Sequence, residues 1–186
     1  YRNPVMILSD GVIGQMMEKV VLADQRPRRT AEEIIAQDGD WALTGKTADR
    51  KEHVITSLEL DPYAQERFNE KLIAKYAKIR ENEVRYEEFM TEDADYIIVA
   101  FGSAARICRM TVEMAREAGY KVGLVRPITL YPFPSKVLHD LAARGVKGFL
   151  SAELNHGQMV EDVRLAVNGQ APVEHYGRSG GGVFFP

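Results

Sequence analysis

Cysteine is almost absent from this chain: Cys108 is the only one among 186 residues. One thiol excludes an internal disulfide, a four-cysteine zinc site and an iron–sulfur cluster held by this chain alone. An excess of one charge sign is missing too. Lys and Arg number 24 against 27 Asp and Glu, a net charge of -3, which gives no electrostatic motive for binding nucleic acid or an anionic membrane. No apolar run approaches the ~20 residues that span a bilayer. Residues 1–8 have neither the basic region nor the apolar length of a signal peptide, so a cytoplasmic location is expected. Position 1 is Tyr rather than Met, and Tyr1 is not expected to be the natural start. No phosphate-binding glycine loop is present. Phe101-Gly102-Ser103-Ala104-Ala105-Arg106 lacks the second and third glycines of a dinucleotide fingerprint, and Gly180-Gly181-Gly182 has no helix after it. Metal-ligand spacing and a nucleophile–base motif are likewise lacking, so no residue is assigned as catalytic or metal-binding.

What the chain does have is a repeated unit. With 45% hydrophobic and 27% charged residues it is an ordinary globular sequence. Residues 96–101, Tyr-Ile-Ile-Val-Ala-Phe, form a continuous apolar run, as expected for a central parallel strand. Gly102-Ser103 and a helix over 104–118 follow, with Gly119 as the stop signal. A second strand is predicted at 121–125. Then comes an extended, rigid turn over 126–134, in which Pro127, Pro132 and Pro134 prevent helix continuation. Ser135 can cap a helix over 136–144, which Gly145 ends. A third strand over 147–152 runs into Glu153-Leu154-Asn155-His156-Gly157-Gln158, and a helix over 159–167 and a short strand over 172–176 complete the series. Strand, turn and helix in alternation predict a three-layer α/β/α sandwich with a mainly parallel sheet.

The first 92 residues are organised differently. Residues 5–8, Val-Met-Ile-Leu, read as a short strand, Ser9-Asp10-Gly11 as a turn, and 12–21 as a helix offering Met16, Met17, Val20 and Val21 for packing. A lone βα unit cannot satisfy its own backbone, so residues 1–22 are expected to be the end of an upstream domain. Residues 23–92 read as a linker. It holds a basic tether at Arg26 to Arg29 and an irregular stretch over 38–53 pinned by Trp41, Leu43 and Ile55. A long amphipathic helix over 62–86 follows, with Phe68, Leu72, Ile73, Tyr76 and Ile79 on one face. Residues 93–186 are the compact α/β domain.

Ligands of parallel sheets gather at the carboxyl ends of the strands. Both polar turns, Gly102-Ser103 and Asn155-His156-Gly157-Gln158, are predicted to lie there and are the candidate functional edge. Gly102-Ser103 at a helix start reads as an N-cap before it reads as an anion site. His156 can act as an acid or base near neutral pH, or stand as a structural turn residue. Glu153 with Glu161, and Asp10 with Glu18, are not obvious catalytic carboxylate pairs. Cys108, between Ile107 and Met110 in a helix, reads as a small buried hydrophobe.

Several of these segments carry a resemblance to a known family. The strand and turn Ile98-Val99-Ala100-Phe101-Gly102-Ser103, the segment from Val122 to Phe133, and Ala152-Glu153-Leu154-Asn155-His156-Gly157-Gln158 resemble the C-terminal domain of transketolase-like thiamine diphosphate enzymes. Arg126-Pro127-Ile128-Thr129-Leu130-Tyr131-Pro132-Phe133-Pro134 is similar to a stretch of the α subunit of 2-oxoacid:ferredoxin oxidoreductases. So are Gly157 to Arg164, Tyr176-Gly177-Arg178 and Leu8-Ser9-Asp10-Gly11. The branched-chain form, acting on 2-oxoisovalerate, is the nearest type. The resemblance implies a thiamine diphosphate-dependent oxidative decarboxylation that yields an acyl-CoA and reduces ferredoxin. It also implies Mg²⁺ and iron–sulfur clusters in the full complex, with none of these cofactors on this stretch alone. The β and small iron–sulfur subunits, ferredoxin and coenzyme A are the implied partners. Residues 1–22 then correspond to the end of a pyrimidine-binding domain, and a homodimer could form by exchange of the orphan strand. Two other readings stay open: the β chain of a lipoate-linked oxoacid dehydrogenase, and a free-standing flavodoxin-like binding module.

Overall fold

A computed structural model describes residues 1–43, 45–46 and 48–186. In chain order these form α1 (Gly11–Gln15), α2 (Ala31–Asp38), α3 (Pro62–Asn82), β1 (Tyr86–Phe89), β2 (Tyr96–Val99), α4 (Gly102–Glu117), β3 (Val122–Pro127), α5 (Ser135–Ala143), β4 (Gly148–Glu153), α6 (Met159–Val167) and β5 (Val173–Gly177). Packing divides the chain into two units, Tyr1–Met16 with Ala74–Pro186, and Met17–Ile73.

The first unit is built on a five-stranded sheet in the order β1-β3-β2-β4-β5. The pairings β2–β3, β2–β4 and β4–β5 are parallel, while β1 runs antiparallel to β3, with Tyr86 opposite Pro127 and Phe89 opposite Leu124. Strands β2 and β4 are buried on both sides because helices cover both faces. On one face Ile97, Val99, Val125 and Phe149 pack against Leu138 and Leu141 of α5 and Val163 and Val167 of α6. On the other, Ile98, Leu124 and Ala152 pack against Ala104, Cys108 and Val112 of α4, with Phe184 of the C-terminal tail. Each fully buried Val or Leu of these layers contributes about 1.5–3 kcal/mol. The expected three-layer α/β/α sandwich is therefore present.

Several local expectations need correction. Residues 5–8 form no strand: Val5 is 87% and Ile7 91% exposed, and no neighbour among the described residues supplies the ladder a strand requires. The helix expected at 12–21 shrinks to the five residues of α1, and Met16, Met17, Val20 and Val21 stay exposed rather than packing. The helix expected to reach residue 86 ends at Asn82, and Tyr86–Phe89 becomes β1. In the α3 half that belongs to the first unit, Ile79 is buried, and Tyr76 meets Tyr131 edge-on at 6.4 Å between ring centroids. Ser135 does not cap α5. It is the first helical residue, the cap is Pro134, and no side chain bonds the helix start.

The second unit contains α2, which falls inside the expected linker, just after the basic tether. Its start is a capping box: Thr30 Oγ1 accepts from Glu33 N–H at 3.2 Å, and the Glu33 carboxylate accepts from Thr30 N–H at 2.8 Å. Leu43 and Ile55, expected to pin the irregular stretch, are exposed, as are Phe68 and Ile73 of α3. Thr44 and Thr47 of that stretch lie outside the described residues.

Candidate functional site at the carboxyl edge of the sheet

Strands β2 to β5 run parallel, so the segments that follow them emerge at one edge. β2 leads through Ala100-Phe101 into α4 on one face. β4 leads through Leu154 to Gln158 into α6 on the other. Neighbouring parallel strands whose connections depart to opposite faces leave a crevice between their carboxyl ends. Both predicted turns flank it, yet no hydrogen bond joins them among the described residues.

Ser103 departs from its expected capping role. The N-cap of α4 is Phe101, and Ser103, inside the first turn, donates its hydroxyl to the Asp10 carboxylate. That bond is the main reason the Asp10 carboxyl is held below the usual carboxylate range, helped by the Ile13 N–H and opposed by desolvation. Gly102 takes φ +58, which favours glycine. It also lines a cavity of about 530 Å³ on the α4 side, together with Phe89, Ala105, Arg106, Arg109 and Arg126. None of the other predicted site residues lines that cavity. Arg126 pairs with Glu87 at 2.8 Å, and the Arg109 guanidinium lies 4.1 Å from the centroid of the Phe89 ring.

The turn after β4 is organised by Glu153, which with Glu161 makes no obvious catalytic pair in the sequence. It is 0% exposed at the last position of β4, on the same strand face as Ser151 and Phe149. Its Oε1 accepts from the Ser151 hydroxyl at 2.9 Å and from Val160 N–H at 2.9 Å. Its Oε2 accepts from Met159 N–H at 2.8 Å and Gln158 N–H at 3.1 Å. These are orphan donors at the start of α6, where the helix dipole also favours an anion. Burial pushes the Glu153 carboxyl up, but the N–H bonds from Met159 and Gln158 and the hydroxyl bond outweigh it and hold the group below the usual range. The sequence does carry a signal for this role. Ser151 and Glu153 stand two and four residues after Phe149, so two polar side chains occupy the buried face of an otherwise apolar strand.

Around that anchor the four predicted residues take distinct places. Asn155 Oδ1 accepts from Gly157 N–H at 2.7 Å, closing an Asx-type turn. Gly157 has φ +102, and a Cβ there would stand 3.2 Å from Val160 Cγ1. Gln158 contributes its backbone N–H to Glu153. His156 is exposed, and its Nε2 lies 2.8 Å from Ser179 Oγ in the segment after β5. Beneath the turn, the His175 ring lies close to where Cβ atoms on Gly157 and Gly177 would stand. Its Nε2 is buried with no hydrogen-bond partner among the described residues, 3.9 Å from Glu153 Oε1. The arrangement is a braced loop: a buried carboxylate below, a glycine turn above, and one imidazole at the surface.

Cys108 is buried in α4, and desolvation raises its thiol pKa to about 11. This is the small buried hydrophobe expected.

A layered α/β domain that gathers polar groups at the carboxyl edge of a parallel sheet is the class of protein this geometry defines. Comparison with known proteins narrows it: the chain belongs to the family described as pyruvate:ferredoxin oxidoreductase core domain II, which matches residues 94–186. Over 183 residues it is 46% identical to the ketoisovalerate oxidoreductase subunit VorB of Methanothermobacter thermautotrophicus, covering 97% of this chain and 49% of that protein. Over 208 residues it is 30% identical to the 2-oxoglutarate synthase subunit KorA of the same organism, covering 100% of this chain and 54% of the relative. The solved 2-oxoglutarate:ferredoxin oxidoreductase from Magnetococcus marinus, with 2-oxoglutarate, coenzyme A and succinyl-CoA bound, shares the fold. Its TM-score is 0.61 at 21% identity, over 75% of this chain and 26% of that one. The chain spans about half the length of the curated relatives it matches.

The donor chemistry of this chain does not suit the cofactors implied for the whole enzyme. A cluster takes several thiolates, and the single thiol here is buried and protonated. Glu153 is not free to serve a thiamine ring or a cation, because both of its oxygens are committed to its own helix and strand. Among the described residues, no group of three or more His, Cys, Asp or Glu could hold a metal ion, and no helix is long and apolar enough to cross a membrane.

Proposed function

We propose that this chain is part of the α subunit of a cytoplasmic 2-oxoacid:ferredoxin oxidoreductase. The enzyme decarboxylates 2-oxoisovalerate oxidatively, yields the acyl-CoA and reduces ferredoxin. The observation that carries this reading is the 46% identity, across 97% of the chain, to a ketoisovalerate oxidoreductase subunit. Thiamine diphosphate supplies the carbanion chemistry of such an enzyme. It, its Mg²⁺ and the iron–sulfur clusters are held by other parts of the complex, including the β and small iron–sulfur subunits.

Within that enzyme residues 93–186 are the scaffold, with the loop from Asn155 to Gln158 and the Gly102-Ser103 turn as its working edge. Residues 23–92 are a linker. Residues 1–22 are the end of a pyrimidine-binding domain. The exposure of Val5, Met6, Ile7 and Leu8 supports this, since such a run normally lies against a neighbouring sheet. On this reading the 186 residues are inactive alone.

The test is anaerobic. The complex is recovered through a tagged full-length subunit and assayed for coenzyme A-dependent viologen reduction with 2-oxoisovalerate, pyruvate and 2-oxoglutarate. Preferred turnover of 2-oxoisovalerate is expected. A cluster-containing, thiamine-loaded complex that reduces no dye but acylates a lipoyl protein would replace this reading with the lipoate-linked one.

A further inference from the structure

We infer that Glu153 is a positioning residue for this reaction, holding the Asn155–Gln158 loop, and His156 with it, at the carboxyl edge of the sheet. The inference rests on the proposed function. A carboxylate with no exposed surface is a costly choice for capping a helix, because desolvation opposes its charge. An exposed Ser or Asp just before α6 would cap it with less penalty. Here the cap comes instead from the strand, five to seven residues upstream of the N–H groups it accepts, Gln158, Met159 and Val160. That geometry ties the last residue of β4 to the first turn of α6 and leaves Leu154 to Gly157 as a short closed loop.

The other contacts on the loop act in the same sense. Arg178 N–H donates to the Glu153 carbonyl at 3.2 Å, joining the segment after β5 to the same residue. Ser179 on that segment reaches His156. The Glu153 carboxylate thus braces the loop that bears the imidazole, while its backbone carbonyl, as that of any residue at this position would, holds the segment whose continuation meets it. A capping role alone requires only the bonds to α6. It does not require a closed connection on both sides of an exposed histidine.

The experiment uses the intact complex, with kcat and KM expressed per cluster-loaded enzyme. Glu153→Gln keeps the shape but places an amide NH2 against converging N–H donors. Glu153→Gln and His156→Ala are each expected to lower kcat at least about tenfold, a loss that small misplacements produce. The double variant should fall no further than the worse single one. Ser151→Ala removes one donor from the same carboxylate and leaves its charge. It should lower kcat less, again without adding to His156→Ala, and it serves if Glu153→Gln does not assemble. Variants that melt earlier but keep wild-type kcat and KM overturn the inference while the functional reading stands, as do losses that add with His156→Ala. A wild-type complex inert toward every 2-oxoacid overturns the functional reading and the inference with it.

Discussion

Gly177→Ala tests the geometry of the loop through packing alone. Gly177 ends β5, and its φ lies outside the left-handed region, so alanine suits its backbone. The obstacle is space. A Cβ there would stand 2.1 Å from the Asn155 carbonyl oxygen and 2.7 and 2.8 Å from Cε1 and Nε2 of His175. The carbonyl belongs to a loop closed at both ends, and the ring is wedged beneath it, so neither can yield by rotating a flexible side chain. Relief requires the loop to retreat by about 0.9 Å, an overpacking expected to cost about 2–3 kcal/mol. In a unit of this size each kcal/mol lowers Tm by about 3–6 °C, so calorimetry should show a fall of about 6–18 °C. Gly14→Ala is the control: nothing lies within 4 Å of its Cβ, and its effect should stay within about 0.5 kcal/mol. A Gly177→Ala protein as stable as wild type would mean that the loop does not pass where Asn155 is placed, and the bracing argument would fail with it.

Two further outcomes follow from protonation. The Glu153 carboxyl is held below its ordinary value of 4.5, so the unfolded chain binds this proton more readily than the folded one. The stabilisation is present above about pH 4.5 and is lost as pH falls through the lower folded value. Urea unfolding of Glu153→Gln should show a weaker loss in that acid range than wild type; parallel curves would refute the assignment. Cys108, with its thiol pKa raised to about 11, should resist iodoacetamide at neutral pH in the folded chain and react in urea. Rapid native alkylation would show that α4 does not cover it.

Much of the sheet is legible in the sequence because β2 and β4 are buried on both faces, and a run such as Tyr-Ile-Ile-Val suits little except a central strand. β1 is not legible. Tyr-Glu-Glu-Phe is four residues with two exposed carboxylates, following a charged helix with no strong stop signal, and only the edge of β3 makes it a strand. The apolar run at 5–8 misleads in the other direction, since hydrophobicity without a partner strand specifies nothing. The capping box Thr30-Ala31-Glu32-Glu33 is a local signal that marks α2. At the site, the positions of Asn155 to Gln158 follow from strand order. The alternation with Phe149 signals that Glu153 is buried, but its partners are not legible, because they are backbone donors of the next helix folding back onto the strand.

The antiparallel edge strand has a consequence for synthesis. β1 leaves the ribosome before β2, yet the strand it pairs with is β3, and Tyr86 waits for Pro127. Until then its backbone groups have no ladder. Glu87 and Glu88 sit at the centre of that waiting strand, where charge discourages pairing with another nascent chain. The same two carboxylates that disguise the strand in the sequence keep it single until its partner is made.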